Sequence, residues 1–243
     1  MTNSFSITDI GKKRTMNQDY VYSSDSPVGN LPNLYIVADG MGGHRAGDFA
    51  SRFAVQETVL QIEDSERYSM REIIDLALHN VNAALHRRSR MVAEYRGCGT
   101  TIVVACVRGN MLQVANVGDS RLYIAGDKIR QVTVDHSLVE EMVLAGSLDA
   151  NKARVHPDKN VITRAVGAES YIDVDFFACE LHSGEIILMC TDGLTNMLED
   201  EEILRIIKDT QGTLKDKGEA LIAAANEKGG TDNITVTLVD PGI

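Results

Sequence analysis

The apolar runs in this chain are short, and their period changes along its length. Phe5 and Ile7 alternate with polar neighbours and predict an opening strand; residues 20–22 predict a second. Between them lies a polar bend carrying Arg14, Asn17 and Asp19. Residues 23–33 are rich in Ser, Pro, Gly and Asn and read as a loop. Leu34 to Ala38 form a continuous apolar run, closed by Asp39-Gly40 and a glycine-rich turn reaching His44. Its length and its bounding glycines predict a buried strand. The period then becomes helical. Residues 46–62 contain no proline and carry Asp48 early, where the positive end of a helix favours an acid. Over 70–94, Ile73, Ala77, Val81 and Ala84 recur at helical spacing, the clearest amphipathic stretch in the chain.

Beyond residue 99 strand patterns return. Segments 100–107 and 111–117 flank Arg108-Gly109-Asn110, and 121–125 and 128–134 flank Gly126-Asp127. Segments 176–181 and 185–191 flank His182-Ser183-Gly184. Each separator predicts a hairpin, and 234–239 predicts a last strand. Ser137-Leu-Val-Glu140 is a capping box that predicts a short helix. It lies in a long excursion, 135–167, of the kind that forms a functional flap. Two further helices are expected at 200–208, capped by Asp200, and at 218–227, ended by Gly229-Gly230. Segregated hairpins imply antiparallel sheets whose outer faces need helices. The expected fold is α+β, with two stacked sheets and helices outside, in one domain spanning 1–243.

Composition narrows the function. Lys and Arg number 24 against 35 Asp and Glu, a net charge of −11. That disfavours a general binder of nucleic acid or anionic membrane, which would present basic surface. Cys98, Cys106, Cys179 and Cys190 form no Cys-x-x-Cys pair, and two of them sit in apolar runs. Buried free thiols and a reducing, cytoplasmic setting are expected. No signal peptide and no membrane-length apolar run are read.

The chemistry lies at strand tips. Asp39, Asp119, Asp192 and Asp232 each abut an apolar strand beside a glycine, serine or asparagine, and Asp19 immediately precedes the second strand. Aspartate is a leading turn former, so each alone could be a turn residue. Five converging tips would instead make a negative pocket that needs cations. Oxygen donors without a His-Cys set select magnesium or manganese over zinc or copper. Such sites do phosphoryl chemistry, with two ions about 3.5–4 Å apart activating a bridging water and clamping phosphate. Arg14 offers the planar fork that phosphate prefers.

At this point the residues resemble a known family. Asp9-x-Gly11-x-x-Arg14-x-x-Asn17-Gln-Asp19, Val37-Ala-Asp39-Gly-Met-Gly-Gly-His44 and Gly99-Thr-Thr101 are three of its motifs. Val117-Gly-Asp119-Ser-Arg121, Asp135-His136-Ser137, Thr191-Asp-Gly-Leu194 and Gly229-Gly-Thr-Asp232-Asn233 follow in family order. Together they resemble the metal-dependent protein phosphatases of the 2C type, in their bacterial serine/threonine branch. The resemblance implies a four-layer α-β-β-α sandwich of two antiparallel sheets with an inserted flap. It implies that Asp39 bridges two manganese or magnesium ions, that the Gly40 carbonyl binds one, and that Asp192 and Asp232 complete the other. Asp119 with Asp192 would hold a weaker third ion. Asp19 would act through metal-bound water, Asn233 would support Asp232, and Arg14 would hold substrate phosphate. A monomer acting on phosphorylated proteins, in opposition to a Ser/Thr protein kinase, is the implied biology.

Two positions depart from the wider family. Met41 stands where eukaryotic members carry a His that is proposed to protonate the leaving group, so the general acid is unassigned. His44 is nearby and reads as a loop residue. Gln18 replaces the acid that usually precedes Asp19. Two other readings compete. A non-catalytic phosphoprotein-binding sensor on the same fold would have lost metal acids, yet Asp39, Asp119, Asp192 and Asp232 are all present. A nucleotide hydrolase would need a P-loop, and no Gly-Lys-Ser/Thr turn exists.

Overall fold

A computed structural model describes residues 2–43, 45–67 and 69–243, with only the backbone of Ala150 and Asn151. His44, singled out above, lies outside the described residues. In chain order the strands are β1 (Asn3–Asp9), β2 (Asp19–Ser24), β3 (Leu34–Met41), β4 (Gly99–Thr100), β5 (Ile102–Arg108), β6 (Met111–Val117), β7 (Arg121–Ala125), β8 (Ile129–Gln131), β9 (Asp175–Glu180), β10 (Ile186–Cys190) and β11 (Ile234–Asp240). The helices are α1 (Ala46–Glu63), α2 (Met70–Met91), α3 (Leu138–Leu144), α4 (Ala150–Ala153), α5 (Asp192–Thr195), α6 (Asp200–Asp209) and α7 (Leu214–Glu227), with a 3₁₀ turn at Ala93–Tyr95.

The strands form two antiparallel sheets. One has the order β1-β11-β10-β7-β8; the other runs β2-β3-β5-β6-β9, with β4 paired to β3. Alternation along each strand decides what each face meets. Tyr35, Val37, Val103 and Val114 from one sheet pack against Leu122, Ile124, Ile187 and Met189 from the other. The opposite residues, such as Ile36, Ala38 and Val104, pack with Ala54, Ile73 and Leu78 of α1 and α2. On the far side Tyr123, Leu188 and Leu238 pack with Ile203, Leu221 and Ile222 of α6 and α7. Central strands are therefore buried on both faces, which explains their nearly unbroken apolar runs. Each such buried aliphatic side chain contributes roughly 1.5–3 kcal/mol. The result is the expected helix-sheet-sheet-helix sandwich.

Three details correct the sequence reading. The 176–181 and 185–191 segments are not a hairpin. β9 pairs with β6 in one sheet, while β10 pairs with β7 and β11 in the other. His182-Ser183-Gly184 carries the chain across the sandwich, and a short turn sequence does not distinguish pairing from crossing. The cap of α6 is Glu199, whose backbone N–H donates to Glu202 Oε2 at 3.0 Å, so Asp200 is the first helical residue. Finally, α7 starts four residues earlier than read. Thr213 caps it, its N–H donating to Asp216 Oδ2 at 2.6 Å, a Thr-x-x-Asp signal overlooked in the sequence. The predicted Ser137 cap is present, with Glu140 N–H donating to Ser137 Oγ at 3.3 Å.

The layer between the sheets changes character along its length. Tyr35 and Val37 are followed on the same face by Asp39; Ile187 and Met189 are followed by Thr191; Val239 gives way to Thr237, Thr235 and Asn233. One end of this layer is therefore apolar and the other is polar, and the functional site lies at the polar end.

Candidate active site

At that end a cleft of ≈ 270 Å³ opens between the sheets, lined by Arg14, Asp39, Gly40, Asp119, Asp192, Asp232 and Asn233. Residues spread over more than two hundred positions thus share one wall. Asp39 comes from β3, Asp119 from the turn leaving β6, Asp192 from the residue pair after β10, and Asp232 from the residue pair before β11. Both sheets contribute, and each strand delivers its acid from the tip.

The backbone around Asp39 is tightly fixed. Its N–H donates to Thr101 Oγ1 at 2.9 Å, its carbonyl accepts from Thr100 Oγ1 and from the Thr101 N–H, and Thr101 Oγ1 bonds Ser120 Oγ at 2.7 Å. Gly40 N–H donates to the Gln18 carbonyl at 3.0 Å. A Cβ at Gly40 would stand 2.0 Å from the Gly47 carbonyl oxygen, because α1 begins hard against this strand. Gly40→Ala is therefore expected to lower stability by about 3 kcal/mol or more, since backbone must move. A chemical-denaturation midpoint unchanged from wild type would contradict that packing.

Asp19 pairs with Asp39 directly across β2 and β3, which sets their Cβ atoms about 4.5–5.5 Å apart. It stands behind the cleft wall and is buried. Its Oδ2 accepts from Thr191 Oγ1 at 2.9 Å and Thr235 Oγ1 at 2.7 Å, while its buried Oδ1 has no partner among the described residues. Asp192 is similar. Asn196 Nδ2 donates to its Oδ2 at 2.9 Å, and its Oδ1 is buried and bare. Asp232 Oδ2 accepts from Arg14 Nη2 at 2.6 Å, and its Oδ1 accepts the Asn233 N–H at 2.8 Å. Arg14 itself is half exposed at the mouth.

Asn233 supports Asp232 through its backbone, but its side chain serves a different segment. Asn233 Nδ2 donates to the carbonyls of Ile10 and Met16, and its Oδ1 accepts the Gln18 N–H. It ties down the loop that carries Arg14. Thus one residue fixes both an acid and the base facing it.

Crowded acids raise one another's pKa. Burial, then the charges of Asp19, Asp192, Asp119 and Asp232, holds Asp39 well above the ordinary carboxylate range. Burial pushes Asp19 up to about 7 against the pull of the two threonine hydroxyls. Burial and then Asp192 push Asp119 up to about 8; burial and then Asp232 push Asp192 up to about 6. Such a cluster is under-compensated by protein donors alone.

The oxygen-only donor set and the two bare buried oxygens fit a hard divalent cation. Among the described residues no three His, Cys, Asp or Glu side chains are grouped so that they could hold a metal ion by themselves. Magnesium keeps several waters and takes only one or two carboxylates plus phosphate oxygens, so it does not need three protein ligands converging on one point. An open face of this kind leaves room for substrate.

The sequence motifs around 117–137 have structural roles that the reading left unassigned. Arg121 Nε and Nη2 grip Asp135 at 2.7–2.9 Å while its Nη1 donates to Tyr123 OH. Gly118 N–H donates to His136 Nδ1 at 3.0 Å, and His136 N–H returns to the Gly118 carbonyl. Both ends of the 135–167 excursion are thereby anchored near Asp119, the far end through the Thr100 to Val166 bridge. The excursion covers a recess of ≈ 180 Å³ lined by Asp119, Asp192, Glu140 and Lys159. Lys159 Nζ donates to Asn196 Oδ1 at 3.0 Å, so this segment touches the residue that holds Asp192. Strand parity was the available signal for Thr101, Thr191 and Thr235: each continues the inward face of an apolar strand.

Two sheets meeting at a carboxylate cleft with an arginine at its mouth define a hydrolase site suited to phosphate esters. The profile of the protein phosphatase 2C family matches residues 11–229. Protein phosphatase PhpP of Streptococcus pneumoniae is 42% identical over 237 residues, covering 96% of this chain and 95% of that protein. The solved serine/threonine phosphatase of S. agalactiae superposes with a TM-score of 0.91 at 36% identity, over 98% of this chain and 99% of that one. The catalytic domain of the serine/threonine protein phosphatase PstP, solved in complex with 2 manganese ions, superposes with a TM-score of 0.85 at 29% identity, over 98% and 97%. The chain belongs to the protein phosphatase 2C family.

Proposed function

We propose that this chain is a metal-dependent serine/threonine protein phosphatase, acting on phosphoproteins and reversing a bacterial Ser/Thr kinase. The observation that carries the reading is the gathering of Asp39, Asp119, Asp192 and Asp232 in one cleft facing Arg14. The named serine/threonine phosphatases among its relatives, and the manganese ions described for PstP, support it. The catalytic unit proposed is the whole of 1–243.

Asp39, the Gly40 carbonyl, Asp192 and Asp232 would hold two ions, with Asp119 and Asp192 offering a weaker third position. Ions held there lower the pKa of water and draw charge from phosphate oxygens. The rest is done by the chain. Asp19, braced by Thr191 and Thr235 behind the cleft wall, has a buried Oδ1 without a partner among the described residues, and that oxygen would act on the site through water as a hydrogen-bond acceptor. Arg14, half exposed at the mouth and within reach of Asp232, would hold the substrate phosphate with its guanidinium. Water would attack phosphorus in line, the P–O bond to the seryl or threonyl oxygen would break, and that oxygen would take up a proton from water; no covalent phosphoenzyme is proposed. Cys98 and Cys190 are buried and burial raises their thiol pKa, which fits inert packing.

Turnover of phosphothreonine and phosphotyrosine peptides with and without manganese tests the reading. Metal-dependent release of phosphate from phosphothreonine is expected; activity that survives a chelator would sink it. Arg14→Ala should raise KM for a phosphothreonine peptide by roughly tenfold or more, since a charge-assisted bidentate contact is lost. An unaltered KM would remove Arg14 from phosphate binding. Among the described residues no helix is long and apolar enough to cross a membrane.

A further inference from the structure

The cleft continues outward along a basic rim that the phosphoryl chemistry does not require. β4 pairs with β3 at Gly40↔Thr100 and Met41↔Gly99. The two segments run outward together, and a Cβ added at Gly42 would stand 3.4 Å from Cys98 Cα. Just beyond, Gly43, Arg45, Glu94 and Arg96 line an open recess of ≈ 500 Å³. Both arginine side chains are exposed, and neither has a hydrogen bond or ion pair among the described residues.

The recess is held rigidly. Arg45 precedes α1, and its carbonyl accepts the Phe49 N–H at 3.1 Å. Phe49 stacks on Tyr95 with ring centroids 3.8 Å apart and planes within 3°. That stack fixes the turn bearing Arg96 against the helix that Arg45 begins. The surroundings add positive charge. Residues 87–96 include Arg87, Arg88, Arg90 and Arg96 against the single acid Glu94, in a chain of net charge −11. Arg88 is partly engaged, lying 4.6 Å over the Phe53 ring.

We infer that Arg45 and Arg96 form a specificity subsite for an acidic side chain of the substrate phosphoprotein, a few residues from the phosphorylated one. The inference rests on the phosphatase reading. Charge complementarity selects the occupant: in a protein of net charge −11, two exposed arginines against the single Glu94 attract an acidic segment that the chain's overall charge repels. Continuity with the cleft selects a substrate segment over a membrane surface or a nucleic acid. Gly43 lies three residues beyond Gly40, past the end of β3, so at most ~10 Å of chain separates them and an Asp or Glu three or four residues from the phosphothreonine would reach the recess.

The test compares two phosphothreonine peptides, one with Asp at the third and fourth positions on either side and one with Asn there. The wild-type protein with manganese should show roughly fivefold higher kcat/KM for the acidic peptide, the scale of two exposed ion pairs. R45A/R96A should lose that preference while hydrolysing p-nitrophenyl phosphate at the wild-type rate. The preference should also shrink as sodium chloride is raised. Equal kcat/KM for both peptides in the wild type overturns the inference, as does a preference that persists in R45A/R96A. An equal loss on p-nitrophenyl phosphate overturns it too, by placing the pair in the chemistry. Peptide binding to Asp39→Asn, with and without R45A/R96A, is followed by fluorescence anisotropy and reads the subsite without turnover. A failure of the phosphatase reading would abolish hydrolysis of every ester, yet leave that binding difference standing. Stronger Arg45- and Arg96-dependent binding to phosphatidylglycerol vesicles than to the acidic peptide would overturn it in favour of a membrane contact.

Discussion

Replacing Asp39 by Asn should reduce turnover of a phosphothreonine peptide by about three orders of magnitude or more, while the protein still folds. Asp39 is the one cleft acid on a central strand, and its shift draws on all four other acids of the cluster. A neutral amide keeps the shape but surrenders the charge on which cation binding and charge stabilisation in the transition state depend. Stability should move the other way. In the ion-free protein the substitution removes a largely buried carboxyl whose charged form is disfavoured by burial and then by its acidic neighbours, so the Asp39→Asn melting temperature should lie above that of ion-free wild type. Manganese should then raise the variant's melting temperature far less than the wild type's. Wild-type turnover in Asp39→Asn, or an equal manganese response in both proteins, would remove Asp39 from the site.

The second large effect is a pH dependence that cations reverse. Asp192, Asp19 and Asp119 have folded-state values pushed up to about 6, 7 and 8 from an unfolded 3.8. Asp39 is shifted in the same direction, and Asp232 and Arg14 face the same cluster. Above pH 4 the folded protein therefore binds more protons than the unfolded chain does. Stability linked to these groups is complete below about pH 4 and falls as pH rises through about 6 to 8. Glu202 and Asp216 are shifted down by their cap hydrogen bonds and act in the opposite sense, but only in acid, below about 4.5. Manganese binds the deprotonated acids and should reverse the loss. At about a hundredfold excess over Kd, one ion adds about 2.7 kcal/mol. For a chain of this size that corresponds to a melting shift of roughly 5–10 °C. The shift should be larger at pH 8 than at pH 5. Calorimetric scans without manganese that stay flat from pH 5 to 8, and that manganese leaves unchanged, would contradict the clustered acids.

Much of this was legible from residue patterns. β3, β6, β7 and α1 follow from apolar runs and helical spacing that local physics enforces, and the strand-tip acids stood out because each interrupted such a run. What was not legible depends on which neighbour a segment meets in space. β9 and β10 look like a hairpin because a short turn joins them, yet the pairing edges of β6 and β7 draw them into different sheets. Arg14 was read as a phosphate clamp, and only the fold shows that its guanidinium also donates to Asp232. Asn233 was read as a prop for Asp232, and only the fold shows its amide spanning to Ile10 and Met16. The threonines beneath Asp19 were visible in principle, since Thr191 and Thr235 continue inward-facing parities, but a lone threonine in a strand carries no mark of its partner.

The acids of the cleft come from opposite leaves of the sandwich: Asp39 and Asp119 from one sheet, Asp192 and Asp232 from the other. Any ion shared between them acts as a rivet through both leaves. Sliding one leaf over the other would pull that rivet apart before the apolar layer at the far end came into contact with water. Loss of activity on heating or in mild denaturant should accordingly precede loss of helical signal, with the enzyme serving as the early gauge of its own sandwich coming loose.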